Sequence, residues 1–458
     1  MLPEDTLLEI FDLYRLDAME SSFQRPWKWH RLAHVCRKWR HVISMSPRRL
    51  DLRVLCENGA PIESILGSWP TLPLVVRHYD PKFKSLPNNV AAALRRIHRL
   101  CEIELVLPSS SIGSIVDAMQ EPLHGLESIR VTIENATGPP TLVREAFLGG
   151  SAPHLREIKL DGIAFPFPAI RQVLSSTNKL VELHLTNIPN DAYFSPDDLV
   201  TGLTTLAQLE RLSVGFHCHP IFSPSPSMTG SLQCTTLPSL TSLGFYGATE
   251  YLEEFVARID LPALHTITIR LFNQIFFEIP QFCQFIRRPN ALGSPTSMTV
   301  RYSVGSVSIK LQERESTSEG CLLVTSCKRL DWQLSFAAQI SSQLSPLLSN
   351  VQLLDFYGGY GFPTGEEDVD STQWLELFRP FTHVTRVSVF GGQLVPSITQ
   401  ALVAEEMSIE VLPELTWLSL IGYQALRAIS QYAVRLKAER FVATRKLSGR
   451  TVRLTVGE

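Results

Sequence analysis

One phrase of apolar and polar positions recurs along this chain: Leu-x-x-[Leu/Ile/Val]-x-[Leu/Val/Phe/Ile]. It starts at Leu100 (LCEIEL), Leu126 (LESIRV), Leu155 (LREIKL), Leu180 (LVELHL), Leu209 (LERLSV), Leu240 (LTSLGF) and Leu264 (LHTITI). Later copies start at Val351 (VQLLDF), Val384 (VTRVSV) and Leu415 (LTWLSL). Neighbouring copies begin about 24 to 33 residues apart, a period that signals a stacked supersecondary unit. Within each copy the apolar residues alternate with others, as on a strand with one buried face. Between copies lie helix-like stretches: IGSIVDAMQE, FPAIRQVLSS, PDDLVTGLTTL, YLEEFVARI, TQWLELFRPF and SITQALVAEE. Strand, turn, helix and strand at this period predict an α/β chain, a parallel sheet backed by helices in which each unit buries its face against its neighbours. The third and fifth positions after the leading apolar residue point with it into the core. The second, fourth and sixth point to the open face.

The array runs from about residue 100 to 424, and its register is lost over about 288–349. There MTVRYSVGSVSIKL and GCLLVTSC alternate like strands around a polar QERESTSEG. Two readings stay open for that gap: three degenerate units, or a hairpin inserted into the array. FSPSPSMTGS, residues 222–231, reads as a loop by its Ser and Pro content. Residues 51–99, through WPTLPLVV and a helix-like NNVAAALRRIHRL, link the array to what precedes it or cap its N-terminal end. Residues 425–458 begin with ALRAISQYAVRLKAERFVATRK, a terminal helix that would cap the last unit.

The first fifty residues have a different pattern. Pro3 to Tyr14 read as a helix, with Pro3 at a first helical position and Glu4 and Asp5 at the positive end of its dipole. Leu7, Leu8, Ile10, Phe11, Leu13 and Tyr14 spread over roughly 220° of its circumference, wider than one packing face needs. LAHVCRKWRHVI, residues 32–43, reads as a second helix. Leu32, Val35, Cys36, Trp39, Val42 and Ile43 form a stripe about 120° wide, and Arg37, Lys38, Arg40 and His41 lie on its back or margins. The connector DAMESSFQRPWKWHR holds Pro26 and two tryptophans. So short a piece is marginal as an independent domain.

LPEDTLLEIFDLY, a connector, LAHVCRKWRHVI and SPRRLDL together resemble an F-box over about residues 1–50. Leu2, Pro3, Leu7, Leu8, Ile10, Phe11, Val35, Cys36, Arg37 and Trp39 occupy the places of its Leu-Pro start, its paired aliphatics with a Phe, and its Val-Cys-[Arg/Lys]-x-Trp block. The connector is longer and more aromatic than the usual one. The repeats after it are similar to the irregular leucine-rich repeats that follow many F-boxes. They lack the regular Asn ladder: Asn187 is the one near match, and Gly or aromatic residues follow the strands instead (FYGA at Phe245, FYGG at Phe356, FGG at Phe390, LIGY at Leu420). The resemblance implies a three-helix docking module followed by an uneven, horseshoe-like solenoid. It also implies a non-catalytic substrate receptor of an SCF-type cullin-RING ubiquitin ligase. Leu2, Pro3, Leu7, Leu8, Ile10, Phe11, Val35 and Trp39 would then hold the Skp-type adaptor, and through it the cullin. The array would hold a protein target. The competing reading is a repeat-based interaction scaffold whose N-terminal helices only cap the array.

Composition narrows the field. The 458 residues carry a net charge of −3, with 44% hydrophobic and 19% charged residues, so core material is ample and no global basic field points to nucleic acid. MLPEDTLLEIFDLY has acids where a secretory signal needs bases. No run approaches the roughly 18 apolar residues of a membrane span. Cys36, Cys56, Cys101, Cys218, Cys234, Cys283, Cys321 and Cys327 are scattered without CxxC spacing, as in a cytoplasmic or nuclear protein with reduced thiols. There is no P-loop lysine motif, no GxSxG and no HExxH. Glu366, Glu367, Asp368 and Asp370 after GGYGFPTG lack EF-hand spacing, and His217, Cys218 and His219 with Cys234 lack a second zinc pair. No enzymatic activity and no cofactor or metal is expected. The candidate target surface is the open face of the late strands: Asp355 and Tyr357, then Arg386, Ser388 and Phe390, then Trp417, Ser419 and Ile421. An Arg among aromatics is the composition of a binding hot spot.

Overall fold

The structure is a computed structural model. It describes the chain apart from residues 1, 21–28, 48, 58–62, 64–65, 68, 70, 80–87, 109–110, 112, 114, 116–118, 135–146, 219–233, 275, 289–293, 314–319, 359–370, 405–410, 423–427 and 458. The chain divides into two compact units, Met1–Tyr193 and Phe194–Glu458. Both are mixed α/β, with a mostly parallel sheet and helices in the strand-to-strand connections.

The first unit opens with three helices, α1 (Glu4–Glu20), α2 (His30–Ala33) and α3 (Arg37–Met45). The single helix expected over residues 32–43 is therefore two. Cys36 breaks it with extended backbone (φ −158°, ψ 170°), and its Sγ accepts the Trp39 N–H at 3.5 Å as the cap of α3. The apolar stripe runs on in sequence, but the backbone leaves the helix at Cys36, whose side chain caps the next one. Six parallel strands follow: β1 (Val54–Cys56), β2 (Leu74–His78), β3 (Leu100–Pro108), β4 (Ser128–Glu134), β5 (Glu157–Asp161) and β6 (Glu182–Ile188), each paired with its predecessor. The sheet thus starts inside the stretch expected to be a linker or cap, because LRVLC and LPLVV are apolar enough to add two strands ahead of Leu100. Helices α4 (Asn88–Leu94) and α5 (Phe167–Ser176) lie in the connections.

The second unit begins at α6 (Pro196–Leu203), whose start is set by a capping box: the Ser195 Oγ accepts the Asp198 N–H and the Asp198 carboxylate accepts the Ser195 N–H, both at 3.1 Å. Its strands are β7 (Arg211–Phe216), β8 (Thr235–Thr236), β9 (Ser242–Gly247), β10 (Ile259–Asp260), β11 (Thr266–Leu271), β12 (Ser297–Ser303), β13 (Ser306–Gln312), β14 (Cys321–Ser326), β15 (Leu353–Gly358), β16 (Arg386–Phe390), β17 (Trp417–Ile421) and β18 (Arg453–Gly457). The spatial order is β7-β9-β11-β14-β13-β12-β15-β16-β17-β18, with β8 and β10 paired apart. Residues 288–349 hold three described strands, one more than a hairpin has, and they do not keep the parallel order of the array. β12, β13 and β14 make an antiparallel meander laid down in reverse, so that β14 runs parallel to β11 and β12 parallel to β15. Helices α7 (Thr249–Val256), α8 (Pro280–Ile286), α9 (Leu330–Gln343), α10 (Ser345–Leu348), α11 (Ser371–Phe378), α12 (Val395–Ala404) and α13 (Ala428–Leu447) complete the unit. The terminal helix is not the last element: Leu454 of β18 pairs with Leu418 of β17 and extends the sheet.

The core follows the repeated phrase. At every copy the first, fourth and sixth residues are buried, from Leu100, Ile103 and Leu105 to Leu415, Leu418 and Leu420. Each such side chain contributes roughly 1.5–3 kcal/mol of hydrophobic stabilisation before the entropy of ordering is subtracted. Trp374, fully buried, packs edge-on against Tyr302 and Phe356 and ties α11 to β12 and β15. After the late strands the chain turns through glycine: Gly391 (φ +106°) and Gly422 (φ +77°) take left-handed backbone. A Cβ on Gly391 would lie 2.8 Å from the Gly358 oxygen. Asn187, the one residue near a ladder position, also has positive φ (50°), and its side chain bonds Asp161.

Candidate functional site

At the N-terminus, burial separates the candidate docking residues. Leu7, Leu8 and Phe11 face the small helical core, and Phe11 meets the half-buried Trp39 edge-to-face at 5.0 Å. Leu7, Leu8 and Phe11 therefore have no surface to offer a partner. Leu2 (50% exposed), Ile10 (36%) and Val35 (58%) do, and Pro3 is also exposed. Leu13, 67% exposed, stands one helical turn from Ile10 on the same flank of α1. Val35 leaves the expected stripe because it sits in the break between α2 and α3. The Lys38 ammonium donates to the Leu2 carbonyl at 2.6 Å and the Arg40 guanidinium to the Ala33 carbonyl at 3.0 Å, so two of the basic residues on α3 hold backbone. Trp29 is buried and anchors the helices to the sheet: its Nε1–H donates to the Arg53 carbonyl at 2.8 Å and its ring packs edge-on against Trp69.

The open sheet face of the first unit carries a ladder of ion pairs that the alternation alone did not flag. In register, Glu104, Arg130, Lys159 and His184 form one row, and Glu102, Ser128, Glu157 and Glu182 the next. Arg77 pairs with Glu104 at 3.2 Å, Arg130 with Glu157 at 2.6 Å, and Lys159 with Glu157 and Glu182 at 2.6 and 2.8 Å. Burial pushes the Glu157 carboxyl up, but hydrogen bonds from Arg130, Lys159 and Ser128 outweigh it and hold it below the usual carboxylate range. Burial, helped by the Lys159 charge, holds His184 below its ordinary value despite Glu182. The cations of this face are satisfied by carboxylates of the same face.

The second unit brings the other predicted residues together. β15, β16 and β17 are adjacent and parallel, and Asp355, Ser388 and Ser419 align in one row. Tyr357 and Phe390 align in the next row and stack face to face, 4.4 Å apart and 6° from parallel. Arg386 and Trp417 align in the third, with the guanidinium 4.1 Å from the ring centroid. Three residues that the sequence reading missed complete the cluster. Arg301 of β12 lies over Tyr357 at 5.0 Å, Arg453 of β18 lies over Trp417 at 5.2 Å, and Thr455 accepts the Trp417 Nε1–H at 2.9 Å. The alternation of MTVRYS and VRLTVG carried a signal for them, but not which strands they would neighbour. Burial raises the Asp355 carboxyl above its usual range, against Ser388 and Arg386, which lower it. Held this way, the arrangement sets guanidiniums, aromatic faces and hydroxyls on one surface, and these residues include no nucleophile–base pair.

Among the described residues, no group of three or more His, Cys, Asp and Glu is placed to hold a metal ion, and no helix is long and apolar enough to cross a membrane. Cys218 and Cys234 are exposed, whereas His219, residues 222–231 and the acids Glu366, Glu367, Asp368 and Asp370 lie outside the described residues. Burial pushes the Cys56, Cys101, Cys283 and Cys321 thiols up to about 12, which leaves them as packing groups. No family model matches the chain, and no curated protein matches it.

Proposed function

We propose that this protein is the substrate-recognition subunit of an SCF-type ubiquitin ligase. Its first fifty residues act as an F-box that docks a Skp-type adaptor, and its strand–helix succession acts as an irregular leucine-rich-repeat solenoid that holds a protein target. The chain itself performs no chemistry: it raises the effective concentration of target lysines near a ubiquitin-charged enzyme. The observation that carries this reading is the second apolar flank of α1. A helix that only capped a sheet needs one buried face and a polar outer one. α1 buries Leu7, Leu8 and Phe11 and still exposes Ile10 and Leu13, with Leu2 and Val35 also exposed. Exposed apolar residues grouped on a short module signal a partner.

The scaffold reading is favoured by a different observation, the complete burial of Phe11 and Leu7, which by themselves would suit a cap. Co-purification of the full chain and of an Ile10→Asp/Leu13→Asp variant, probed for the adaptor and a cullin, separates the two. The ligase reading expects adaptor with the parent chain and none with the variant at unchanged circular dichroism. Adaptor with neither, from folded protein, leaves the scaffold. Equal adaptor with both removes this flank as the docking surface.

A further inference from the structure

The open sheet face of the second unit is unbalanced in charge where that of the first is not. Its outward positions from β11 to β18 carry Arg270, Lys310, Arg301, Arg386 and Arg453 against one carboxylate, Asp355. Among the described residues none of these cations has a carboxylate within ion-pair distance, whereas Arg77, Arg130 and Lys159 of the first unit each have two.

The register gives this face relief. The middle row holds Ser388, Ser419 and Thr455, small hydroxyl residues of which the two serines are 8% and 9% exposed. On one side stands the row Arg386, Trp417, Arg453, with both guanidiniums against the same indole. On the other stand Phe390 and Ile421, continued by Tyr357. Rows on one face are about 7 Å apart along the strands, so a shallow trough with a hydroxyl floor, a cationic wall and an apolar wall crosses β16 to β18. A guanidinium stacked on a ring loses little freedom and keeps its N–H edge for an anion. Arg386 and Arg453 lie two strands apart, about 10 Å, close to the roughly 9 Å from residue i to i+3 on one face of a polyproline II segment.

We propose that this trough binds an acidic segment of a partner polypeptide in polyproline II conformation, with carboxylates at i and i+3 on Arg386 and Arg453 and an apolar side chain between them against Phe390 and Ile421. The inference rests on the reading of this face as the target-holding surface and gives that target a chemistry. A nucleic acid is the disfavoured polyanion, because the net charge of the chain is −3.

The test is fluorescence anisotropy with the full chain. The probe is a labelled peptide of about a dozen residues with Glu at i and i+3 around a Leu; its Gln counterpart and a uridine oligonucleotide are the comparators. The acidic peptide binds at least about tenfold more tightly than the Gln peptide, and binding weakens as salt rises. Arg386→Gln with Arg453→Gln lowers affinity at least about tenfold at unchanged circular dichroism. Asp355→Asn raises it about two- to fivefold, a gain that unfolding cannot mimic. Equal binding of the Gln peptide, equal or tighter binding of the oligonucleotide, no binding of the acidic peptide, or indifference to the arginine changes each overturns the proposal. Adaptor co-purification is read separately: peptide binding without adaptor removes the ligase reading and leaves the trough.

Discussion

Truncating Phe11 to Ala tests whether α1 is divided into a buried core side and an exposed flank as the burial describes. Phe11 is fully buried and holds Trp39 edge-on at 5.0 Å. Phe→Ala in a core costs about 3–5 kcal/mol, a sum that includes the roughly 0.5–1.5 kcal/mol of an aromatic pair. A piece of some fifty residues holds only about 2–7 kcal/mol of net stability. The change therefore removes most of what holds the three helices, while the strands keep their own core. Leu13→Ala is the matched control: at 67% exposed it has little contact to lose, and its cost stays within about 1 kcal/mol. Native-state amide hydrogen exchange of the full chain reads both. Phe11→Ala speeds exchange in α1 and α3 about a hundredfold or more and leaves β3 to β6 protected; Leu13→Ala changes exchange less than about fivefold. Equal opening by the two variants, or unchanged exchange in Phe11→Ala, would refute the division.

Three further outcomes are expected. The chain loses stability as pH falls from neutral. The lowered His184 pKa costs stability once the unfolded imidazole protonates, below about 6.5, and the lowered Glu157 pKa, whose benefit is complete above about 4.3, is lost on further acidification; thermal melts against pH show this, and His184→Gln removes the upper part of the fall. Gly391→Ala destabilises by about 1–3 kcal/mol in chemical denaturation, since its φ of +106° is strained for any side chain and its Cβ meets Gly358. In native protein Cys36, Cys218 and Cys234 react with an alkylating reagent, while Cys56, Cys101, Cys283, Cys321 and Cys327 react only on unfolding, as peptide mass spectrometry reads directly.

The strands of the repeat, their inward residues and most of the helices between them are legible in the chain because alternation and the 3.6-residue period are local properties. A strand with Leu155, Ile158 and Leu160 on one side buries that side whatever its neighbours are. The cluster around Arg386 was legible for the same reason: repeats in phase put equivalent positions side by side when their strands run parallel and in order. Local pattern misled at Cys36, where a helical stripe continues across a residue that instead caps the next helix.

Adjacency across long sequence separations belongs to the tertiary structure. Arg301 reaches Tyr357 because the β12–β14 meander is laid down in reverse and brings β12, not β14, against β15. Arg453 reaches Trp417 because the chain returns as β18 after α13. Nothing in MTVRYS or VRLTVG specifies those partners, since a strand's two edges accept any backbone of matching direction. The division of α1 into a buried Phe11 and an exposed Leu13 was settled the same way, by which neighbours arrived to cover one side of an apolar arc wider than a single contact can cover.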